Sequence, residues 1–469
     1  MSSSRNTSIQ ELVHLLNAQL DDSARSDPPS TNPATIMSYE KVLTCIQRAV
    51  KELIPGTPLF TIFHDGQVHD PLGGGAYAFQ KDLIDPVIRA LLYDERLCSP
   101  ETGNSQSLPA RSIVIHAGLQ PNNSPHIGTL VVFSLAFAFA QALRDRMQAI
   151  AAAEENTTLP AVSVLITFVD TAPVTNQGFE SQGIQYQRSY RDVPEAITKY
   201  MADYEEVLGY LSEWSRIPFH KAVQSDLFSN PSMPSLVNYI VSQRDTLGPQ
   251  LSPKYGTLAI RSACPEPGCG LVEKHGRLNE YQAVDNEDLG AITFSCPYHG
   301  KYTIQLSRRE EVARLEANTP TRNLLRSMSH LLDTSVHHIR VTGADYTGVY
   351  QETLLYRPLA TWTATTGLGS GRTPHILYAP LITDWSGAKL SKSLYVNDGA
   401  YRLMKLLGTE AFCSYAQLRD AFGADGGKGL RKVWDEVQHW VADPKKLFRT
   451  FSLAYMKDVI LQDNPTHAV

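Results

Sequence analysis

The sequence has little of three things that would narrow its class at once. Cysteine is scarce, with six in 469 residues. That is too few for a disulfide framework in a chain of this length. Positive charge is not in excess: the formal net charge is −6, so any nucleic-acid contact has to be a local basic patch. Long apolar runs are missing too. The longest, Leu130 to Ala140 (LVVFSLAFAFA), is too short to span a bilayer. The opening stretch MSSSRNTSIQELVHLL lacks the basic and apolar regions of a secretory signal. No internal repeat is visible. These absences point to the cytoplasm and to no membrane partner. What remains is ordinary: 42% hydrophobic and 19% charged residues, a globular balance that argues against disorder.

The composition along the chain suggests six segments. Residues 1–36 run into DDSARSDPPSTNPAT, a mobile, polar, proline-rich segment. Residues 37–110 form an N-terminal extension of unread role, with helices expected near Tyr39–Leu53 and Asp82–Tyr93. From 111 to 257 the pattern is strand, loop, helix and strand: Ser112–Ala117 (SIVIHA), then GLQPNNSPHIG, then an apolar helix from about Thr129 to Ile150, then Val162–Val169 ending at Asp170. Further helices are expected at Glu195–Trp214 and Ser235–Thr246. Residues 258–305 are richer in cysteine, proline and glycine. Residues 306–395 return to the alternating pattern, with a helix over Arg308–Asn318, strands at His338–Thr342 and His375–Leu381, and a helix running to about Thr365. Residues 396–469 read as helical, with breaks at Gly423–Gly429 and Pro444. Alternation of this kind predicts an α/β fold with a parallel sheet.

Two short motifs bracket that pattern. The first is Pro121-Asn122-Asn123-Ser124-Pro125-His126-Ile127-Gly128-Thr129, and the second is Lys389-Leu390-Ser391-Lys392-Ser393. A loop after a buried strand aims backbone N–H groups and a helix N-terminus at an anion. A small-residue loop with two lysines can close on developing negative charge. Each has a plainer reading: Thr129 as the N-cap of the following helix, and the lysines as a solvated basic loop.

In this order the pair resembles the ATP-binding "HIGH" and "KMSKS" motifs of class I aminoacyl-tRNA synthetases, most nearly the catalytic core of the class I lysyl type. Thr129 departs from the common form, which has His there. The resemblance covers residues 111 to 395. It implies a Rossmann-like (HUP-type) doubly wound parallel sheet that activates an amino acid with ATP and Mg2+. On that resemblance His126, Lys389 and Lys392 are catalytic, with Lys392 the main stabiliser of charge on the leaving pyrophosphate. Asn122, Gly128, Thr129, Gly343, Asp345 and Ser391 serve ATP, with Gly128 leaving room for adenine. Asp170, Asp345 and Tyr346 lie on the amino-acid side. Asp345 is equally a helix N-cap, and Asp170 a turn former. Two carboxylates at strand ends favour a basic substrate side chain, lysine or arginine.

Cys264 and Cys269 (C-x4-C), with Cys296 and His299 (C-x2-H), have the spacing of a closed Cys3His structural zinc site in an inserted module. Unrelated turns with buried cysteines are the alternative. The lysyl-type family carries a similar cysteine-rich insertion.

The segment after Ser393 is too short for the family's helical anticodon-binding domain. Three functions therefore remain in play. The first is a synthetase-like ligase whose acceptor is the tRNA acceptor arm or a small amine. The second is a tRNA-dependent cyclodipeptide synthase, such as the fungal arginine-containing type, making a diketopiperazine from aminoacyl-tRNAs. The third is a non-catalytic tRNA-binding protein.

Overall fold

In a computed structural model the described residues are 61–62, 68–69, 82–98, 108–153, 158–174, 177–282, 289–366, 368, 374–390, 404–423 and 425–461. The expectations for residues 1–36 and for a helix near Tyr39–Leu53 lie outside them. The chain divides into two compact units, Met1–Phe60 with Pro86–Asn104, and Thr61–Asp85 with Ser105–Val469. The described residues of the first belong to the helix Ile84–Cys98.

The second unit is built on five parallel strands: β1 (Ser112–Leu119), β2 (Val162–Phe168), β3 (Phe219–Val223), β4 (Val336–Gly343) and β5 (His375–Ala379). Their order is β5-β4-β1-β2-β3. The chain winds from β1 outward through β2 to β3, then returns to the other side of β1 for β4 and β5. The direction reverses between β1 and β4, where Arg340 lies opposite His116 and Val341 opposite Ala117. Such a switch point leaves a crevice beyond the carboxyl ends of the two strands.

The helix after β1, α1 (Ile127–Ala153), is apolar on every side over its first half, with Arg144, Asp145 and Arg146 in its second. Its best 18-residue window has a mean hydropathy of 1.7, enough by length and composition to cross a membrane, yet 67% of that window is buried inside the protein. It is a core helix, because it packs on the sheet and is covered by α2 (Met201–Ser215) and by a C-terminal helix. Phe133, Phe137 and Phe139 on it are fully buried. Between β3 and β4 the chain adds α3 (Thr319–Leu332), capped by the Asn318 side chain, which accepts the Thr321 N–H at 3.0 Å. The C-terminal cover is α4 (Gly426–Ala442), which turns Val433, Val437 and Trp440 inward.

Several expectations change. The helix expected over Arg308–Asn318 is only Arg309–Val312, after which Leu315–Ala317 pairs antiparallel with Ile260–Ser262. The break expected at Gly423–Gly429 ends early, since α4 begins at Gly426. Packing against α1 outweighs the weak helix propensity of glycine. The expected helix to Thr365 is interrupted by a π-helical stretch, Glu352–Tyr356. The cysteine-rich segment holds a three-stranded antiparallel sheet, with Ala291–Cys296 between Glu280–Gln282 and Gly300–Gln305. It is not isolated from the main fold. Leu271–Glu273 pairs with Ile184–Arg188, and Ile292, Phe294 and Ile304 share one apolar cluster with Leu324, Tyr356 and Ile376.

Candidate functional site

The loop leaving β1 is pinned at several points. The Tyr204 hydroxyl of α2 donates to the Asn123 carbonyl at 2.7 Å, and the Ala416 N–H donates to Ser124 Oγ at 3.3 Å. The loop ends at His126, whose carbonyl accepts the N–H groups of Thr129 and Leu130 at 2.8 and 3.0 Å. His126 Nδ1 accepts the Gly128 N–H at 2.9 Å. That assigns the proton of a neutral ring to Nε2. The helix therefore starts from His126, and Thr129 sits in the first turn instead of capping it. A Cβ at Gly128 would approach His126 Cε1 to 2.8 Å. The space that the missing side chain leaves is taken by the His126 ring itself.

The second loop is a tight turn organised by Asp384. Its Oδ1 accepts the N–H groups of Ser386 and Ala388 at 2.8 and 3.0 Å. The chain then returns beside Ile382-Thr383, with the Leu390 N–H on the Ile382 carbonyl at 2.9 Å. Lys389 is carried on that return. Its Nζ lies 2.5 Å from Asp345 Oδ2, and both side chains are partly exposed. Ser391 and Lys392 lie outside the described residues. Asp345 follows β4 in a single 3-10 turn, Ala344–Tyr346. It does not cap a helix, because the Thr347 hydroxyl and N–H close that turn on the Ala344 carbonyl. A Cβ at Gly343 would collide with Asp345 Oδ1, so glycine there admits the carboxylate.

These pieces meet at one cavity of about 390 Å³ beyond the carboxyl ends of β1 and β4. Asn122, His126, Gly128, Thr129, Gly343, Asp345, Tyr346 and Lys389 all line it. Asp170 does not. It is buried, and its two oxygens accept the N–H and hydroxyl of Ser225 at 2.9 and 2.5 Å. It thus holds the turn after β3, a role that neither expectation named.

No protein-family model matches the chain, and no curated protein matches it. Solved structures do. A glutamate-tRNA synthetase from Elizabethkingia anophelis is similar at 10% identity and a TM-score of 0.26, over 60% of this chain and 52% of its own. The chain thus spans about half the length of that enzyme. The arginyl-tRNA synthetase of Thermus thermophilus is similar at 11% identity and a TM-score of 0.30, over 77% of this chain and 62% of its own. A putative arginyl-tRNA synthetase from Campylobacter jejuni is similar at 10% identity and a TM-score of 0.25, over 79% and 88%.

The structure adds residues that sequence reasoning missed. Arg322 and Arg326 on α3 and Arg340 on β4 also line the cavity. Beneath them is a histidine layer. His116 Nε2 lies 2.8 Å from His338 Nδ1, His330 stacks on His338 with centroids 4.0 Å apart, and His338 Nε2 meets Asp333 Oδ2 at 3.0 Å. Burial holds all three histidines below their usual range, and Arg326 and Arg340 push His116 and His330 further down. The layer is therefore neutral, and the adjacent guanidinium groups disfavour a cation within it. Burial would raise Asp333, but hydrogen bonds from Ser335 and His338 outweigh it and hold the carboxyl at about 2. One signal was available. Residues 322, 326 and 330 share a helix face and 338, 340 and 342 a strand face, where a buried layer should read apolar.

The cysteine set converges as its spacing predicts. Cys264 Sγ and Cys296 Sγ lie 3.4 and 3.5 Å from His299 Nδ1, and Cys269 Sγ lies 3.8 Å from Cys296 Sγ. Ligands at zinc–sulfur distance on a tetrahedron are about 3.8 Å apart, so three thiolates and an imidazole in this arrangement fit zinc.

Proposed function

We propose that the cavity binds ATP and an amino acid and joins them as an aminoacyl adenylate, for transfer to an acceptor such as the 3′ end of a tRNA. The observation that carries this reading is the convergence of the His126 loop and Lys389 on a single cavity at the switch point of a parallel sheet. Attack of a carboxylate on the α-phosphate builds negative charge on phosphorus and on the departing pyrophosphate. Fixed donors aimed at that charge supply most of the catalysis. The N-terminus of α1 and the proton on His126 Nε2 offer such donors. Lys389 adds a mobile cation, and Lys392 on the same loop is proposed as its stronger partner. Mg2+ would enter with the nucleotide.

Zinc is proposed as a structural ion held by Cys264, Cys269, Cys296 and His299. It would fix the inserted module, whose sheet shares its apolar cluster with α3. A cytoplasmic location remains part of this reading.

The first test is calorimetric binding of Mg-ATP to the full chain. Micromolar binding that weakens in His126→Ala is expected, since that change removes the donor and the ring that fills the space beside Gly128. Unaltered binding in that variant would place the nucleotide elsewhere. A protein that makes cyclic dipeptides from loaded tRNAs without binding ATP would move the assignment to the cyclodipeptide synthase reading.

A further inference from the structure

The cavity wall formed by α3 and β4 carries three arginines. Arg322 is only 8% exposed, its Nε is buried without a hydrogen-bond partner, and its Nη2 reaches only Thr319 Oγ1 at 3.4 Å. Arg326 donates to Asn323 Oδ1 at 3.0 Å and to Gln224 Oε1. Arg340 lies over the Tyr346 ring, 5.8 Å from its centroid. Every one of these partners is neutral. Among the described residues no carboxylate stands at ion-pair distance from any of the three.

A structural arginine in the same protein behaves differently. Arg261, equally buried, has the Glu316 carboxylate 3.6 Å away. Burial, with the charges of Arg261 and Arg340, brings Arg322 down to about 10, and burial together with the charges of Arg340 and Arg322 brings Arg326 well below its usual range. The histidine layer is neutral and compensates nothing. A cluster of desolvated cations without counter-charge is costly unless a ligand supplies the charge.

The role of this wall rests on the adenylating reading of the cavity. ATP would place its phosphates against the His126 loop and the lysine loop. The α-carboxylate of the amino acid is drawn to the α-phosphate. Three guanidinium groups remain, in a form suited to a second carboxylate, which arginine grips with two parallel N–H bonds. A basic side chain, the expectation from sequence, would meet three like charges. Of the two carboxylates assigned to it, Asp170 is buried and held by Ser225, and Asp345 lies beside the Lys389 ammonium. We infer that the Arg322–Arg326–Arg340 wall is the specificity pocket of the site and that the amino acid it takes is dicarboxylic, glutamate or aspartate.

The test is calorimetric titration of the full chain with L-glutamate and L-aspartate, with and without a non-hydrolysable ATP analogue. Glutamine, asparagine, lysine, arginine and inorganic pyrophosphate serve as the comparison probes. One of the two acids is expected to bind with 1:1 stoichiometry, with its amide isostere weaker by about 100-fold or more because a site built for charge is left unpaired. Arg322→Gln should weaken the acid at least about tenfold, the loss of one charge-assisted contact. The same variant should keep or raise the melting temperature of the ligand-free protein, whereas an arginine with a purely structural role would lower it.

Several results would overturn the inference. One is no binding of either acid under both conditions. Another is preferred binding of lysine or arginine. A third is pyrophosphate as the sole ligand sensitive to Arg322→Gln, which would make the wall a phosphate site. The two readings fail separately. Arg322-dependent binding of an acid without any ATP–pyrophosphate exchange keeps the pocket and removes the adenylating reaction. Exchange driven by a neutral or basic amino acid, indifferent to Arg322→Gln, keeps the reaction and removes the pocket.

Discussion

Lys389 Nζ lies 2.5 Å from Asp345 Oδ2. The contact ties the loop after β5 to the end of β4, and so joins two of the pieces that line the cavity. Both groups are partly exposed, so the pair contributes little to stability, about 0.2–1 kcal/mol at most. Lys389→Ala should therefore leave the melting temperature nearly unchanged. If Lys389 stabilises the leaving pyrophosphate, the same change should slow adenylate formation on the order of 10²-fold, as the loss of one preorganised donor does. A stability loss without a rate loss would mark the pair as structural only.

Gly128→Ala separates space from chemistry at the first loop. The added Cβ would meet the His126 ring at 2.8 Å and force it off the Gly128 N–H. Alanine is otherwise the better helix residue by about 1 kcal/mol. The protein should stay folded while ATP affinity falls. Thermal melting and nucleotide titration on one preparation check both halves.

Metal analysis should find about one zinc per chain. Cys264→Ser or Cys296→Ser should release it and lower solubility, because the ion joins the Cys264–Cys269 turn to the Cys296–His299 turn. A metal-free preparation with an unchanged melting temperature would remove zinc from the account.

The buried pair Arg261–Glu316 predicts a pH dependence. Burial raises the Glu316 carboxyl from 4.5 to about 7, with the attraction of Arg261 acting against it and losing. Burial also brings Arg261 down. Between those two values the unfolded chain has released a proton that the folded chain keeps. Stability from this group is therefore full below about pH 4.5 and is lost as pH rises through 7. Each unit is worth about 1.4 kcal/mol. Urea melts at several pH values should show that decline in the unaltered protein, and Glu316→Gln should flatten it.

Much of the sheet was legible because buried parallel strands are apolar runs. β1, β2 and β5 stand out in that way, whereas β4 interleaves His338, Arg340 and Thr342 with its apolar residues. β3 did not. Its sequence, Phe219-His220-Lys221-Ala222-Val223, lies at the sheet edge and is largely accessible, so no burial pattern marks it. The four metal-type ligands were readable from spacing alone. The arginine wall was not, since residues 322 and 340 belong to different elements and only the winding of the chain brings them together. The partners of Asp170 and Asp345 were not legible for a similar reason. Ser225 and Lys389 lie 55 and 44 positions away in sequence, and no local pattern announces either partner.

The central claim is that the cavity makes an aminoacyl adenylate. Amino-acid-dependent ATP–pyrophosphate exchange, run with each of the twenty amino acids on the full chain and on Lys389→Ala, tests it most directly. The account predicts exchange with one amino acid, suppressed on the order of 10²-fold in the variant. Exchange with none of the twenty, from protein that is folded and holds its zinc, would contradict it.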